Sequence, residues 1–206
     1  MAQRLGLRYV DTGAMYRAIT WWMLAQGVDV DDPAAVSARC VEPVIELGVD
    51  PEAPVVRVDG RDVSADIRES AVADAVSRVA AVPQVRERLV RSQRDMVDEA
   101  LDSGSGVVME GRDIGTVVLP HADLKVYLTA DVEARAARRA LEESQRSGSG
   151  SVSAAQENLQ SRDALDTTRA VSPLQQAADA VAIDGTHLTL DEVIDAVIRA
   201  LPADPR

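Results

Sequence analysis

Short apolar runs alternate with longer amphipathic stretches along this chain, and that alternation restricts its fold more than any other feature. The runs are Arg8–Val10, Val107–Met109, Leu124–Thr129 and Ala180–Ile183. Each is too short for a core helix and lacks the polar alternation of a one-sided strand, so each reads as a strand buried on both faces. Between them lie helical patterns. Asp11 or Thr12 caps a helix over Ala14–Gln26 that Gly27 stops. Pro83 opens a long helix with Val85, Leu89, Met96, Val97 and Ala100 on one face. Further helices are predicted over Val132–Gln145 and Ser153–Asp166, and Thr189 or its neighbour caps a last one carrying Leu190, Val193, Ile194, Val197, Ile198 and Leu201. Strands alternating with helices predict an α/β fold, a parallel sheet flanked by helices. From Pro43 to Ile67 the pattern changes. Six valines (Val44, Val49, Val55, Val56, Val58 and Val63) sit among Pro, Gly and Asp, with a turn at Asp59-Gly60-Arg61, which predicts a small antiparallel β-insert.

A chain of 206 residues, 46% apolar, suits one domain with a small inserted subdomain. Aromatic residues are 2% with no Phe, so the core must be aliphatic. A net charge of −12 repels phosphate backbones and argues against a nucleic-acid partner. No run approaches the roughly 18 apolar residues of a membrane span, and the N-terminus has no signal-peptide core. The single cysteine, Cys40, cannot form a disulfide within the chain and reads as a small buried hydrophobe. A cytoplasmic monomer with no membrane partner is expected. His121 and His187 stand alone, so no metal-ligand cluster is expected.

Four constellations suggest chemistry. In Asp11-Thr12-Gly13-Ala14-Met15-Tyr16-Arg17 a strand hands over to a helix N-terminus, where backbone N–H groups and the helix dipole favour an anion. A plain capped helix is the bland alternative. Gly111-Arg112-Asp113-Ile114-Gly115-Thr116 places a charged pair between glycines at a strand's carboxyl end, where ligands of such sheets collect. Arg135, Arg138 and Arg139 share one helix face, with Glu133, Glu142 and Glu143 as alternative partners. Arg162, Asp166 and Arg169 share another. The last two sets flank the Ser/Gly run Ser147–Ser151, which makes a lid that closes over phosphates the expected arrangement.

In combination these segments resemble bacterial cytidylate kinases, a family of nucleoside-monophosphate kinases. The resemblance is carried by Tyr9 to Arg17, Glu110 to Val118, Arg162-Asp163 with Asp166 and Arg169, and Ser172-Pro173-Leu174. It extends from about Leu5 to the C-terminal helix. It implies a P-loop NTPase-type sheet and transfer of phosphate from ATP, accompanied by Mg²⁺, to CMP or dCMP. It also implies that the insert, approximately residues 43–82, binds the monophosphate, and that a lid spans approximately 144–156. Ser77, Arg86 and Asp113 match positions that recognise cytosine. Thr12, Arg17 and Arg112 match positions that hold the acceptor phosphate, and Tyr16 lines the same pocket. Arg162 and Asp166 match positions near the sugar, and Arg169 one that reaches phosphate. Arg135, Arg138 and Arg139 match the lid helix facing ATP. Arg112, Asp113, Arg138 and Arg169 are the expected catalytic group.

One departure stands out. The family opens with a strand and a Gly-rich loop ending in Gly-Lys-[Ser/Thr], and only ten residues precede Asp11 here. Those residues read as the tail of a helix leading into the second strand. Lys125 is the sole lysine, expected inside a strand with no Gly-rich run around it. These observations predict a fold lacking its first strand and phosphate-gripping loop, with a sheet one strand short and negligible turnover. The alternative reading is a non-catalytic paralogue that binds CMP.

Overall fold

A computed structural model describes residues 1–147, Ser151, Gln156 and 175–203. The chain forms two compact units, residues 1–114 and 115–206.

In the first unit a short helix, α1 (Ala2–Leu5), leads into β1 (Arg8–Asp11). The turn between them is a left-handed Gly6. The helix that follows, α2, covers Thr12–Ala25. The ambiguity over its cap is resolved in favour of Asp11, whose Oδ1 accepts from the Ala14 N–H at 2.9 Å. Helix α3 (Pro33–Arg39) starts with Asp32 as cap and Pro33 in its first turn. The expected insert is a three-stranded antiparallel sheet of β2 (Ile45–Leu47), β3 (Val56–Val58) and β4 (Arg61–Asp62), ordered β2-β3-β4. Its hairpin turn uses positive φ at both Asp59 (51°) and Gly60 (78°), the requirement of the two-residue turn that matches strand twist. Asp59 is held there by two bonds, from the Val44 N–H at 2.8 Å and the Trp22 Nε1–H at 2.9 Å. A 3₁₀ turn (Asp66–Arg68), α4 (Ser70–Ala81) and α5 (Pro83–Asp102) follow. β5 (Val107–Glu110) then pairs parallel with β1, Asp11 opposite Glu110.

One aliphatic core joins these elements. Met15, Ile19 and Met23 of α2, Val36 of α3, Val58 of β3, Ile67 of the 3₁₀ turn, Val79 of α4 and Leu89 of α5 are each fully or almost fully buried in it. Cys40 belongs to the same cluster, and burial pushes its thiol pKa up. Arg88, half-buried, donates to the carbonyls of Cys40 and Pro43 and so ties α5 to the end of α3. Trp22 packs into the core while Trp21 lies against it, with Arg61 stacked over its ring.

The second unit contains β6 (Val126–Thr129) and β7 (Val181–Asp184), again a parallel pair, with α6 (Val132–Ser147) and α7 (Leu190–Arg199). Thr189 and Glu192 close a reciprocal capping box at the start of α7. β6 starts two residues later than expected, which corrects the position of Lys125. It precedes the strand, and its ammonium holds Asp179 at 2.7 Å, leaving its side chain 8% exposed. Its backbone still joins the two strands, since its carbonyl accepts from the Val181 N–H at 2.9 Å. The expected helix over Ser153–Asp166 and most of the expected lid fall outside the described residues. No described helix is long and apolar enough to cross a membrane.

Leu89 is 1% exposed. Its replacement by Ala is expected to cost about 2–5 kcal/mol through lost burial and a residual cavity, read as a drop in the urea midpoint. A loss below about 1 kcal/mol would mean that this core tolerates collapse and is not the aliphatic lattice described.

Candidate functional site

Two strands end side by side in the first unit. The parallel register of β1 and β5 sets Asp11 opposite Glu110 and Tyr9 opposite Val108. Side chains two residues apart share a sheet face, so Tyr9, Asp11, Val108 and Glu110 line one side. The face is polar because the strands stop there. β1 passes into α2 through Thr12, and β5 passes into Gly111.

The first group of side chains gathers at the α2 N-terminus. Thr12 is 3% exposed, and its hydroxyl donates to the Glu110 carbonyl at 2.7 Å, which pins the helix start to the end of β5. Arg17 returns one and a half turns along α2 to meet Asp11 Oδ2 at 3.1 Å. Asp11 therefore caps the helix with one oxygen and orients a guanidinium with the other. Gly111 is required by space. A Cβ there would meet Thr12 Oγ1 and would lie 2.7 Å from Ile114 Cδ1.

Tyr9 donates a hydrogen bond to the Glu110 carboxylate. Its phenol pKa is raised, first by burial and then by the neighbouring Glu110 charge. Glu110 keeps part of its surface open to solvent. Its carboxyl is nevertheless held above the usual carboxylate range. Burial is the largest cause and the Asp11 charge adds to it, while Tyr9's hydrogen bond and the charges of Arg17 and Arg68 pull the other way.

The second group lies at the start of α5. Arg86 and Asp113 form an ion pair with side chains only 4% and 7% exposed. The Arg86 guanidinium also donates to the Ala80 carbonyl of α4 at 3.4 Å and sits 5.6 Å from the centroid of the Tyr16 ring. Ser77, half-buried, is one helical turn before Ala80. Tyr16, Arg86 and Asp113 are thus brought together, with Ser77 close by. Thr12 and Arg17 form the adjoining cluster, and the half-buried Arg112 is the link between Gly111 and Asp113.

In the second unit Arg135, Arg138 and Arg139 lie on α6. Arg138 is engaged with the turn between β7 and α7, donating to the carbonyls of Gly185 at 2.5 Å, Leu188 at 3.2 Å and Thr186 at 3.4 Å. Arg162, Asp166 and Arg169 lie outside the described residues, as does Ser172-Pro173-Leu174. Tyr9 and Glu110 open the two recognised stretches, but sequence reasoning gave neither a role. The only available signal was an acid directly before Gly111-Arg112-Asp113, because the register that sets it against Asp11 is not written locally.

Parallel strands that stop at carboxylate, glycine and arginine, one of them feeding a helix N-terminus, define an α/β protein equipped to bind a phosphorylated ligand. The family profile described as cytidylate kinase matches residues 1–203. The cytidylate kinase of Nocardia farcinica is 52% identical over 98% of this chain and 85% of its own length. That of Streptomyces avermitilis is 50% identical over 96% and 83%, and that of Geobacillus kaustophilus 46% over 96% and 86%. The chain belongs to the cytidylate kinase family, phosphotransferases with the P-loop NTPase type of α/β fold. The matches extend from the first residues of the chain and give no support to the expectation that it lacks its first strand and phosphate loop, nor to the non-catalytic alternative.

Glu110 generates a pH prediction. A carboxyl whose pKa is raised by folding favours the folded state below the ordinary value of 4.5 and loses that advantage as pH climbs through the raised value. Glu110→Gln removes the ionisation and keeps an acceptor for Tyr9. The variant is therefore expected to melt above the parent at pH 7, where about 2–4 °C accompanies each kcal/mol, and the two melting curves are expected to converge as pH falls below 4.5. A lower melting point for the variant at pH 7 would show that the ionised carboxylate is stabilising.

Proposed function

We propose that this chain transfers the terminal phosphoryl group of ATP to CMP or dCMP, giving CDP or dCDP and ADP. The observation that carries this reading is the buried Arg86–Asp113 pair set against Tyr16, beside the Thr12–Arg17 helix start. Cytosine offers an exocyclic amine and two adjacent acceptors on one edge. A carboxylate accepts from the amine, and a guanidinium donates to the ring acceptors. Ser77 adds a hydroxyl from α4. Thr12, Arg17 and Arg112 hold the phosphate, with the α2 N-terminus contributing its dipole.

The chemistry asked of these groups is positioning and charge neutralisation. Phosphoryl transfer passes through a loose transition state whose charge spreads over the equatorial oxygens. An acceptor that is already a phosphate gives up little proton at neutral pH, so no general base is required. Asp113 serves to orient the base and Arg112 to hold the reacting phosphate. Mg²⁺ carried by ATP would supply charge neutralisation at the donor phosphates. Lys125 is committed to Asp179, and guanidiniums of the second unit are assigned to the donor phosphates. Arg135 and Arg139 of α6 are the proposed contacts, and Arg138 anchors their helix to the β7–α7 turn. Arg162 and Asp166 are assigned to the sugar and Arg169 to phosphate. The insert of residues 43–82 is assigned to the monophosphate and residues 144–156 to the lid.

Uracil replaces the exocyclic amine with a carbonyl, which would face the Asp113 carboxylate. A lost charged hydrogen bond weakens recognition by about 1.5–3 kcal/mol. In an assay of ADP release with ATP and each monophosphate, kcat/KM is therefore expected to be at least about ten-fold higher for CMP than for UMP. Ser77→Ala is expected to narrow that gap. Equal use of the two substrates would refute the cytosine assignment, and no CMP-dependent ADP release would refute the reaction.

A further inference from the structure

Helix α5 buries one polar side chain that its packing does not explain. Gln93 is 1% exposed, and its Nε2 has no hydrogen-bond partner among the described residues. It stands in the middle of the buried face of α5, with Leu89 and Val97 one turn to either side and Arg86 and Ala100 two turns to either side. A methionine or leucine would fill that place without taking an amide out of water. A buried amide with no partner lowers stability, so its presence calls for an acceptor.

The helix and the strand that follows it locate that acceptor. The chain turns back after α5, and β5 packs against the helix. The two are tied at both ends. At one, the Ser105 N–H donates to the Ala100 carbonyl at 2.9 Å just before β5 begins, and at the other Arg86 meets Asp113. From Arg86 to Ala100 the helix covers roughly 21 Å, and an extended chain from Val107 to Asp113 covers roughly 20 Å. Gln93, midway along the first, therefore falls across from Glu110, the end of β5. Helical side chains lean toward the helix N-terminus, which carries the amide on toward the bend at Gly111-Arg112. Residues 111–113 belong neither to the ladder of β5 nor to the helical turn of Ile114–Val118, so a side-chain donor is what can steady them. The other buried N–H on this face of α5 with no hydrogen-bond partner among the described residues is Nε of Arg86, a residue assigned to cytosine.

We propose that Gln93 is a positioning residue of the acceptor site. When a nucleoside monophosphate binds, its amide donates to a main-chain carbonyl of the Glu110–Arg112 bend, and so holds Arg112 to the phosphate and Asp113 to the base. Gln93 acts through the bend and does not touch the nucleotide. Thr12 already grips the same strand end from α2, through its bond to the Glu110 carbonyl at 2.7 Å, so the bend that carries Arg112 and Asp113 is clasped from both flanking helices. The proposal rests on the acceptor-site reading above.

The test compares the parent, Gln93→Met and Val97→Ala by calorimetric titration with CMP and by melting without ligand. Met keeps about the same volume as Gln and removes the amide. Gln93→Met is expected to melt at or above the parent and to bind CMP about ten-fold more weakly. Val97→Ala, a packing lesion on the same helix face, is expected to melt lower and to bind CMP like the parent. A parent that does not bind CMP sinks the acceptor-site reading and this proposal with it. With a parent that binds, unchanged CMP affinity in Gln93→Met overturns the role of Gln93 alone. So does a lower melting point for Gln93→Met, which would show the amide already bonded without ligand. Equal weakening of CMP in Val97→Ala also overturns it, because the loss would then be one of packing.

Discussion

Burying a guanidinium and a carboxylate together takes two full charges out of water, and the cost is recovered only if each remains the other's partner. Arg86 and Asp113 meet that condition at 4% and 7% exposure. Removing either alone would leave an uncompensated charge, a loss of about 3–5 kcal/mol in comparable cases. The pair therefore fixes two segments distant in sequence, the first turn of α5 and the residues after β5. Arg86 extends the tie to α4 through the Ala80 carbonyl and to α2 through the Tyr16 ring. Two hydrophobic residues of similar size would hold these elements at least as well. That a charged pair stands there instead fits a site that exchanges its internal hydrogen bonds for those of a polar base.

The neighbouring cluster follows the same logic at lower cost. Thr12 is satisfied by the Glu110 carbonyl, Arg17 by Asp11, and Glu110 by Tyr9. Every one of these partners comes from the ends of β1 and β5 or the first turns of α2. Gly111 allows the approach by presenting no side chain where Thr12 and Ile114 already lie. A site preorganised in this way spends little ordering entropy when a ligand binds. Asp11 and Arg17 show how: the capping acid that starts the helix also keeps a guanidinium aimed at its N-terminus.

Much of this was legible in the sequence, for physical reasons that differ from element to element. β1, β5 and β7 were visible as apolar runs ended by Asp, Glu or Gly, although they are not buried on both faces as expected: in β7 only Ile183 is buried, and β5 is half-buried up to an exposed Glu110. The insert was visible because Asp59-Gly60 has few uses besides a tight hairpin. α3 was not anticipated: seven residues starting at Pro33 carry too little periodicity to register, with only Val36 buried. The extent of β6 was overread by two residues because Leu124 and Lys125 lead straight into the run; Lys125 borders the strand, its carbonyl accepting from Val181 and its ammonium held by Asp179, 54 residues away. Among site residues, those within a motif were found. Tyr9 and Glu110 stood at the edges of the recognised stretches but were given no role, because theirs depends on the strand register that sets Glu110 beside Asp11, which leaves no local signature.

The central claim is that the buried Arg86–Asp113 pair is the base-reading end of a nucleotide site whose phosphate end is the Thr12–Arg17 helix start. A crystal structure of this chain grown with CMP tests it most directly. The account predicts the cytosine edge within hydrogen-bond distance of both Arg86 and Asp113, the ring beside Tyr16, and the phosphate against Thr12 and Arg17. A nucleotide bound elsewhere, with the Arg86–Asp113 pair making no contact to it, would contradict it.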